Sequence, residues 1–199
     1  MNETEYLASK IKILFILKEV NSENGFNLKE FLQKGGRSQT WNNISRWIFG
    51  IRNIEKEIKW RDLNDDYFTT ERRKELLSSI CVMNLKKSSG GHTTDNKELA
   101  LVASQDTDYL NRQFQLYYNS EKSRPDFIIC GGTSTSNNFN KLINIENKSD
   151  WKTTSRGVYY YEFDKGKYFI EYAHPEARVS NNLLYYGLID AIKELKNNR

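Results

Sequence analysis

Residues 13–21 read ILFILKEVN: five consecutive apolar side chains, then lysine, glutamate, valine and asparagine. A run that is apolar at every position, rather than at every second one, suits a short strand covered on both faces in a parallel sheet. The whole run extends from Ile11 to Leu17, and three others share its character: Ile80 to Met83, Phe127 to Cys130, and Tyr168 to Ala173. The first and third are nearly continuous, Lys12 being the one break in the first, whereas Glu171 interrupts the fourth. Helical spacing falls between and after the runs. Leu110, Phe114 and Tyr117 recur at helical intervals before the third run, and Leu184, Leu188, Ala191, Ile192 and Leu195 form an apolar stripe near the end. Trp41, Ile44 and Ile48 mark another helix, with Ser38 near its start to cap it. Buried strands alternating with helices predict an α/β fold with a largely parallel sheet. Val158 to Phe163 and Tyr168 to Tyr172 flank Asp164-Lys165-Gly166 and read as a hairpin, so one edge of the sheet is expected to be antiparallel.

The chain has 199 residues, which suits a single domain spanning 1–199. No repeat or Pro/Gly-rich linker divides it. The most loop-like stretches are SSGGHTTDN (88–96) and GGTSTSNNFN (131–140), both too short to mark a second domain. The 30 basic and 26 acidic residues leave a formal charge of +4, and the pI is near 8.9. That balance permits a polyanionic partner without demanding one. The two cysteines, Cys81 and Cys130, are too few for a disulfide framework, a four-cysteine zinc site or a cysteine-held iron–sulfur cluster. His92 has no ligand partners at metal-binding spacing, so no metal is expected. No apolar stretch reaches the roughly 20 residues that a membrane span needs, and MNETEYLASK has no signal-peptide pattern. A soluble, cytoplasmic monomer without a membrane partner is the expectation.

In open α/β sheets ligands bind beyond the carboxyl ends of the strands. After the first run come Lys18, Glu19, Val20 and Asn21; after the second, Asn84, with Lys86 and Lys87 just beyond. Gly131, Gly132 and Thr133 follow the third, and His174, Pro175, Glu176, Ala177 and Arg178 the fourth. Pro125 opens the third strand, where a missing N–H is tolerated. Pro175 biases His174 towards extended geometry, so that histidine should end its strand. A carboxylate, a carboxamide, a glycine turn and an imidazole are thus expected along one sheet edge, an arrangement suited to an active site.

The ordered stretches ILFILKEVN, ICVMNLKKSSGG, RPDFIICGGT and YAHPEAR resemble the uracil-DNA glycosylase superfamily, over roughly Ile11 to Ile192. The resemblance implies a three-layer α/β/α sandwich around a four-stranded, mostly parallel sheet. It implies a water-activating residue after the first strand, Glu19 or Asn21, with Glu19 able to take a proton and Asn21 able to position the water. Asn84 would recognise a flipped base through its amide donor and acceptor. His174 would stabilise charge on the departing base, and Phe26 would stack on that base or staple the next helix. Lys86, Lys87 and Arg178 would contact phosphates. The four tryptophans read as core or rim. The first motif lacks the superfamily's usual glycine and proline, and Glu176 stands where serine commonly follows the proline.

The expected function is that of a monofunctional DNA glycosylase. It would act on DNA containing a damaged or modified pyrimidine, without a cofactor, in repair or in defence against phage with modified bases. An inactive nucleic-acid-binding module and a nucleoside or nucleotide hydrolase are the alternatives.

Overall fold

The four apolar runs become four adjacent parallel strands. A computed structural model describes residues 2–21, 27–90, 95–143, 145 and 150–197. Helix α1 (Glu3–Ala8) leads into β1 (Ile13–Leu17) and the short β2 (Val20–Asn21). Helices α2 (Leu28–Gln33), α3 (Ser38–Arg52) and α4 (Thr70–Ser78) precede β3 (Cys81–Asn84) and β4 (Ser89–Gly90). Next come α5 (Asn96–Gln105), α6 (Thr107–Tyr118), β5 (Phe127–Gly131) and α7 (Thr133–Leu142). Strands β6 (Lys152–Thr153), β7 (Tyr159–Asp164) and β8 (Lys167–Tyr172) follow, and α8 (Asn181–Asn197) comes last.

The main sheet has the order β3-β1-β5-β8-β7-β6. Its first four strands pair in parallel, and β7 and β6 pair antiparallel at one edge. The sheet therefore has six strands rather than the expected four. The tight connection between β7 and β8 folds β7 back onto its neighbour, and Lys152–Thr153 adds one more short strand beyond it. The expected hairpin and antiparallel edge are present.

Continuous apolar runs follow from cover on both faces. Ile13, Phe15 and Leu17 of β1 join one core cluster with Trp47 of α3, Leu77 of α4 and Leu188 of α8. Leu14 and Ile16 join the other, with Leu99 of α5, Phe114 of α6 and Phe139 of α7. The sheet is thus sandwiched between two helical layers. Each fully buried side chain of this size contributes about 1.5–3 kcal/mol. Leu184, Leu188, Ala191, Ile192 and Leu195 form the buried stripe of α8 as expected.

Two local expectations differ. Ser38 is the first helical residue of α3, and Arg37 precedes it as a cap without a side-chain bond. The stretch 131–140, loop-like by composition, is mostly helix. Phe139 and Leu142 pull α7 into the core, and the Thr135 hydroxyl donates to the Gly131 carbonyl at 3.0 Å within its first turn. Tertiary burial outweighs the weak helical preference of serine, threonine and asparagine there. Among the described residues no helix is long and apolar enough to cross a membrane.

Candidate functional site

The four parallel strands finish in one row. Leu17 lies beside Asn84, Ile16 beside Cys130, and Gly131 beside Tyr172. The segments bearing Glu19, Lys86, Gly132 and His174 therefore leave the sheet at the same edge. Chain order reverses there. From β1 the chain passes through α2, α3 and α4 to β3 on one side of β1, then through α5 and α6 to β5 on the other. Such a reversal is where open α/β sheets bind ligands, and here it falls between the ends of β1 and β5.

On the β1–β3 side, pairing continues past the sheet. The Leu85 N–H donates to the Leu17 carbonyl at 3.0 Å and the Lys86 N–H to the Lys18 carbonyl at 2.9 Å. Beyond them β2 and β4 pair in parallel, with Asn21 beside Gly90. Both segments run outward as one ribbon. Lys86 is only 5% exposed, and its Nζ lies 2.9 Å from Glu19 Oε2 and 2.8 Å from Glu98 Oε1 on α5. The Glu19 side chain is 6% exposed. Buried charges need such partners. The hydrogen bonds it donates, to Glu98 first and Glu19 second, hold the Lys86 pKa above the usual lysine range, so it is an ammonium at neutral pH. Lys18 turns to α5 as well, donating to Asn96 Oδ1 at 3.3 Å.

Asn84 ends β3 beside this ribbon. Its side chain is buried, and Oδ1 accepts no hydrogen bond among the described residues. Leaving an amide acceptor unmade away from water costs about 1–3 kcal/mol. Ser45 Oγ, Arg72 Nε, Asn111 Oδ1 and Ser136 Oγ share this state among the described residues; native structures seldom leave such groups orphaned, and Asn84 is the one of the five that ends a parallel strand.

Glycine makes the neighbouring turn possible. A Cβ on Gly131 would sit 3.0 Å from Leu17 Cδ2, and Gly132 has φ +105°, which L side chains rarely adopt. The chain thereby passes from β5 into α7 within two residues.

On the β8 side, His174 is half-buried. Its Nδ1 accepts the Glu176 backbone N–H at 3.1 Å, which leaves the proton of the neutral ring on Nε2. Burial pushes the imidazole pKa down; Glu176 opposes that shift and Lys18 adds to it. Helix α3 holds this turn. Asn43 Nδ2 donates to the Pro175 carbonyl at 2.7 Å, and the Glu176 carboxylate accepts from Arg37 and Thr40. Asn43 Oδ1 in turn accepts from Arg46 at 2.7 Å. Arg46 is 2% exposed. It also donates to the Leu63 carbonyl and to Asp65, with its guanidinium 5.4 Å from each of the Trp60 and Phe68 ring centres. Asn43, Arg46, Asp65, Phe68, Pro175 and Glu176 line an open cleft of about 920 Å³.

The structure thus brings Glu19, Asn84 and His174 to one edge. Asn21 is placed there by its backbone alone, and Phe26 and His92 lie outside the described residues. Arg178 is exposed just past the β8 turn, and exposed Lys87 donates to Gln113 Oε1 at 2.5 Å on α6. Lys86 requires a correction. It is internal and engaged with two carboxylates, which leaves it unsuited to the phosphate contact expected of it, because burial and pairing have used its charge. The residues that sequence reasoning missed are Lys18, Arg37, Asn43, Arg46 and Glu98. One signal was available for three of them: GGRSQTWNN (35–43) and the following Arg46 crowd polar groups onto a helix whose apolar spacing marks it as core. Among the described residues no group of three or more His, Cys, Asp or Glu side chains could hold a metal ion. No family model matches the chain, and no curated protein matches it either.

Proposed function

We propose that this chain is a monofunctional DNA glycosylase, related to the uracil-DNA glycosylase superfamily, that releases an altered or modified pyrimidine flipped out of DNA. The observation that carries most weight is the buried Asn84 Oδ1 at the end of β3, without a hydrogen-bond partner among the described residues. An amide acceptor in that position suits an N–H on a pyrimidine edge, either a ring imide or an exocyclic amine. The buried Glu19 carboxylate, for water, and the His174 imidazole, with a proton on Nε2, follow strands that end along the same sheet edge.

Breaking the N-glycosidic bond puts positive charge on the sugar and negative charge on the base. Asn84 holds the base, and Nε2–H of His174 donates to the base oxygen as its charge grows. A donor that strengthens only as charge develops lowers the barrier without tightening the ground state. Glu19 orients the water that completes the sugar, with Asn21 as the other candidate for that task. Lys86, an ammonium bound to two carboxylates, is a poor nucleophile. Release without a covalent lysine intermediate is therefore the step assigned. Repair and defence against phage with modified bases are both settings for such an activity.

The test is a screen of single-stranded and duplex DNA carrying uracil, hydroxymethylcytosine, glucosylated cytosine or a mismatch, followed by alkali to reveal abasic sites. Alkali-sensitive sites on a modified pyrimidine are expected. One observation favours a second reading, a nucleoside hydrolase: Lys86 has turned inward, which thins the cationic edge available to phosphates. Release from free nucleosides but not from DNA would select that alternative.

A further inference from the structure

We propose that Lys86 is a positioning residue for base release: bridging Glu19 and Glu98 at the strand-end ribbon, its ammonium holds one oxygen of the Glu19 carboxylate and leaves the other aimed at the water. This rests on the glycosylase reading above and assigns the water to Glu19 rather than Asn21.

The geometry is that of a built contact. The ladder from Leu85 and Lys86 to Leu17 and Lys18 fixes the backbone that carries both partners. Lys86 and Glu19 are each 6% exposed at the side chain, so neither is a solvated surface ion. The third partner differs: Glu98 is 54% exposed and sits in the first turn of α5, where Asp95 accepts from its backbone N–H. Lys86 thus ties the interior carboxylate to the rim of the site. The lysine grips Oε2 of Glu19, and the other oxygen is the one assigned to water.

Charged groups from several elements surround the contact. Lys86, from the β3 extension, donates to both Glu98 and Glu19, which raises the lysine's own pKa. Glu98, from α5, competes with Glu19 for that ammonium. Lys18, the chain neighbour of Glu19, is directed to Asn96. His174, from the β8 turn, is neutral at working pH. A buried carboxylate deprived of its cation takes up a proton at higher pH. Activity that needs the ionised form then loses its acid side.

The experiment is a single-turnover pH profile of base release by the wild type, Lys86→Met, Lys86→Arg and Glu98→Gln, on whichever DNA the wild type cleaves best, with thermal melts of each. Lys86→Met should move the acid limb upward by about one pH unit or more, with the largest losses at low pH. Lys86→Arg should restore part of that shift. Glu98→Gln removes a competing negative charge, so its limb should move the other way, by less because Glu98 is half exposed. If Lys86→Met does not fold, the downward shift in Glu98→Gln still decides. Limbs that stay in place, or a rate reduced equally at every pH, would overturn the role of Lys86 while leaving the glycosylase standing. No base release by the wild type from any DNA would instead remove the glycosylase reading, and this role with it.

Discussion

The two halves of the strand-end site are held by different means. Glu19 and Asn84 are fixed from within, by a backbone ribbon that continues two parallel strands, with a buried lysine tying Glu19 to Glu98. His174 is fixed from another layer. Its turn hangs on Asn43 of α3, 132 residues away in the chain, and Arg46 holds Asn43 in turn. The first half is made of groups that the strands would bring together in almost any packing of the helices. The second exists only if α3 sits correctly over the end of β8. Chemistry in the first half should therefore respond to charge, and chemistry in the second to packing.

The largest effect is expected from removing the imidazole itself. His174→Ala should slow base release by about 10²–10³-fold while the melt stays close to wild type, measured by single-turnover kinetics beside calorimetry. A wild-type rate in the folded variant would leave the β8 half with no chemical part. Next comes its distant support. Arg46→Met strands Asn43 Oδ1 and the Leu63 carbonyl, and should cost on the order of 3 kcal/mol in urea unfolding. It should also slow release in the protein that remains folded, because the Pro175 contact loosens. Unchanged kinetics in that fraction would mean that the His174 turn holds itself.

How much of this was legible in the sequence follows the same division. The strands could be read from ILFIL and FIIC because burial on both faces leaves an unbroken apolar run, and their shared edge from the polar or glycine residues that end each run. The six-stranded width was half visible: Asp164-Lys165-Gly166 signals the hairpin, but the two-residue β6 carries no pattern. The helix at 133–142 was hidden because its serines, threonines and asparagines resemble a loop, and only Phe139 and Leu142 hold it down. Lys86 looked like a surface cation because its partner Glu98 lies on another element, and no spacing rule links them. The α3 support was half legible: polar groups crowded onto a core-spaced helix signal it, but Arg37, Thr40 and Asn43 bond residues more than 130 positions later, and a buried arginine between two aromatic rings cannot be told from a surface one by sequence alone.

Smaller effects sharpen the contrast. Glu176 is tied to Arg37 and Thr40 at the partly exposed rim, so Glu176→Gln should cost less than about 1 kcal/mol. The backbone bond to His174 Nδ1 does not depend on that side chain, so release should fall only slightly. A loss as large as that of His174→Ala would move the Glu176 carboxylate into the mechanism. The smallest effect concerns acid stability. In the fold the His174 pKa lies below its ordinary value of 6.5, chiefly through burial. As pH falls, the unfolded ring takes its proton first. The contribution is complete above the unfolded value and is lost as pH drops through the folded one. His174→Gln should accordingly flatten the decline of stability below pH 6.5, as read from urea midpoints across that range; an unchanged slope would place the ring in water.

The most direct test joins the orphan acceptor to the reaction. Base release under single turnover would be compared for the wild type and Asn84→Ala on DNA carrying uracil, hydroxymethylcytosine or glucosylated cytosine, with abasic sites counted after alkali. The wild type should release at least one of these bases, and Asn84→Ala, with its melt preserved, should lose both rate and the preference among them. Undiminished, equally selective release by Asn84→Ala, or no release by the wild type from any of the three, would contradict the assignment of this edge as the base-binding site.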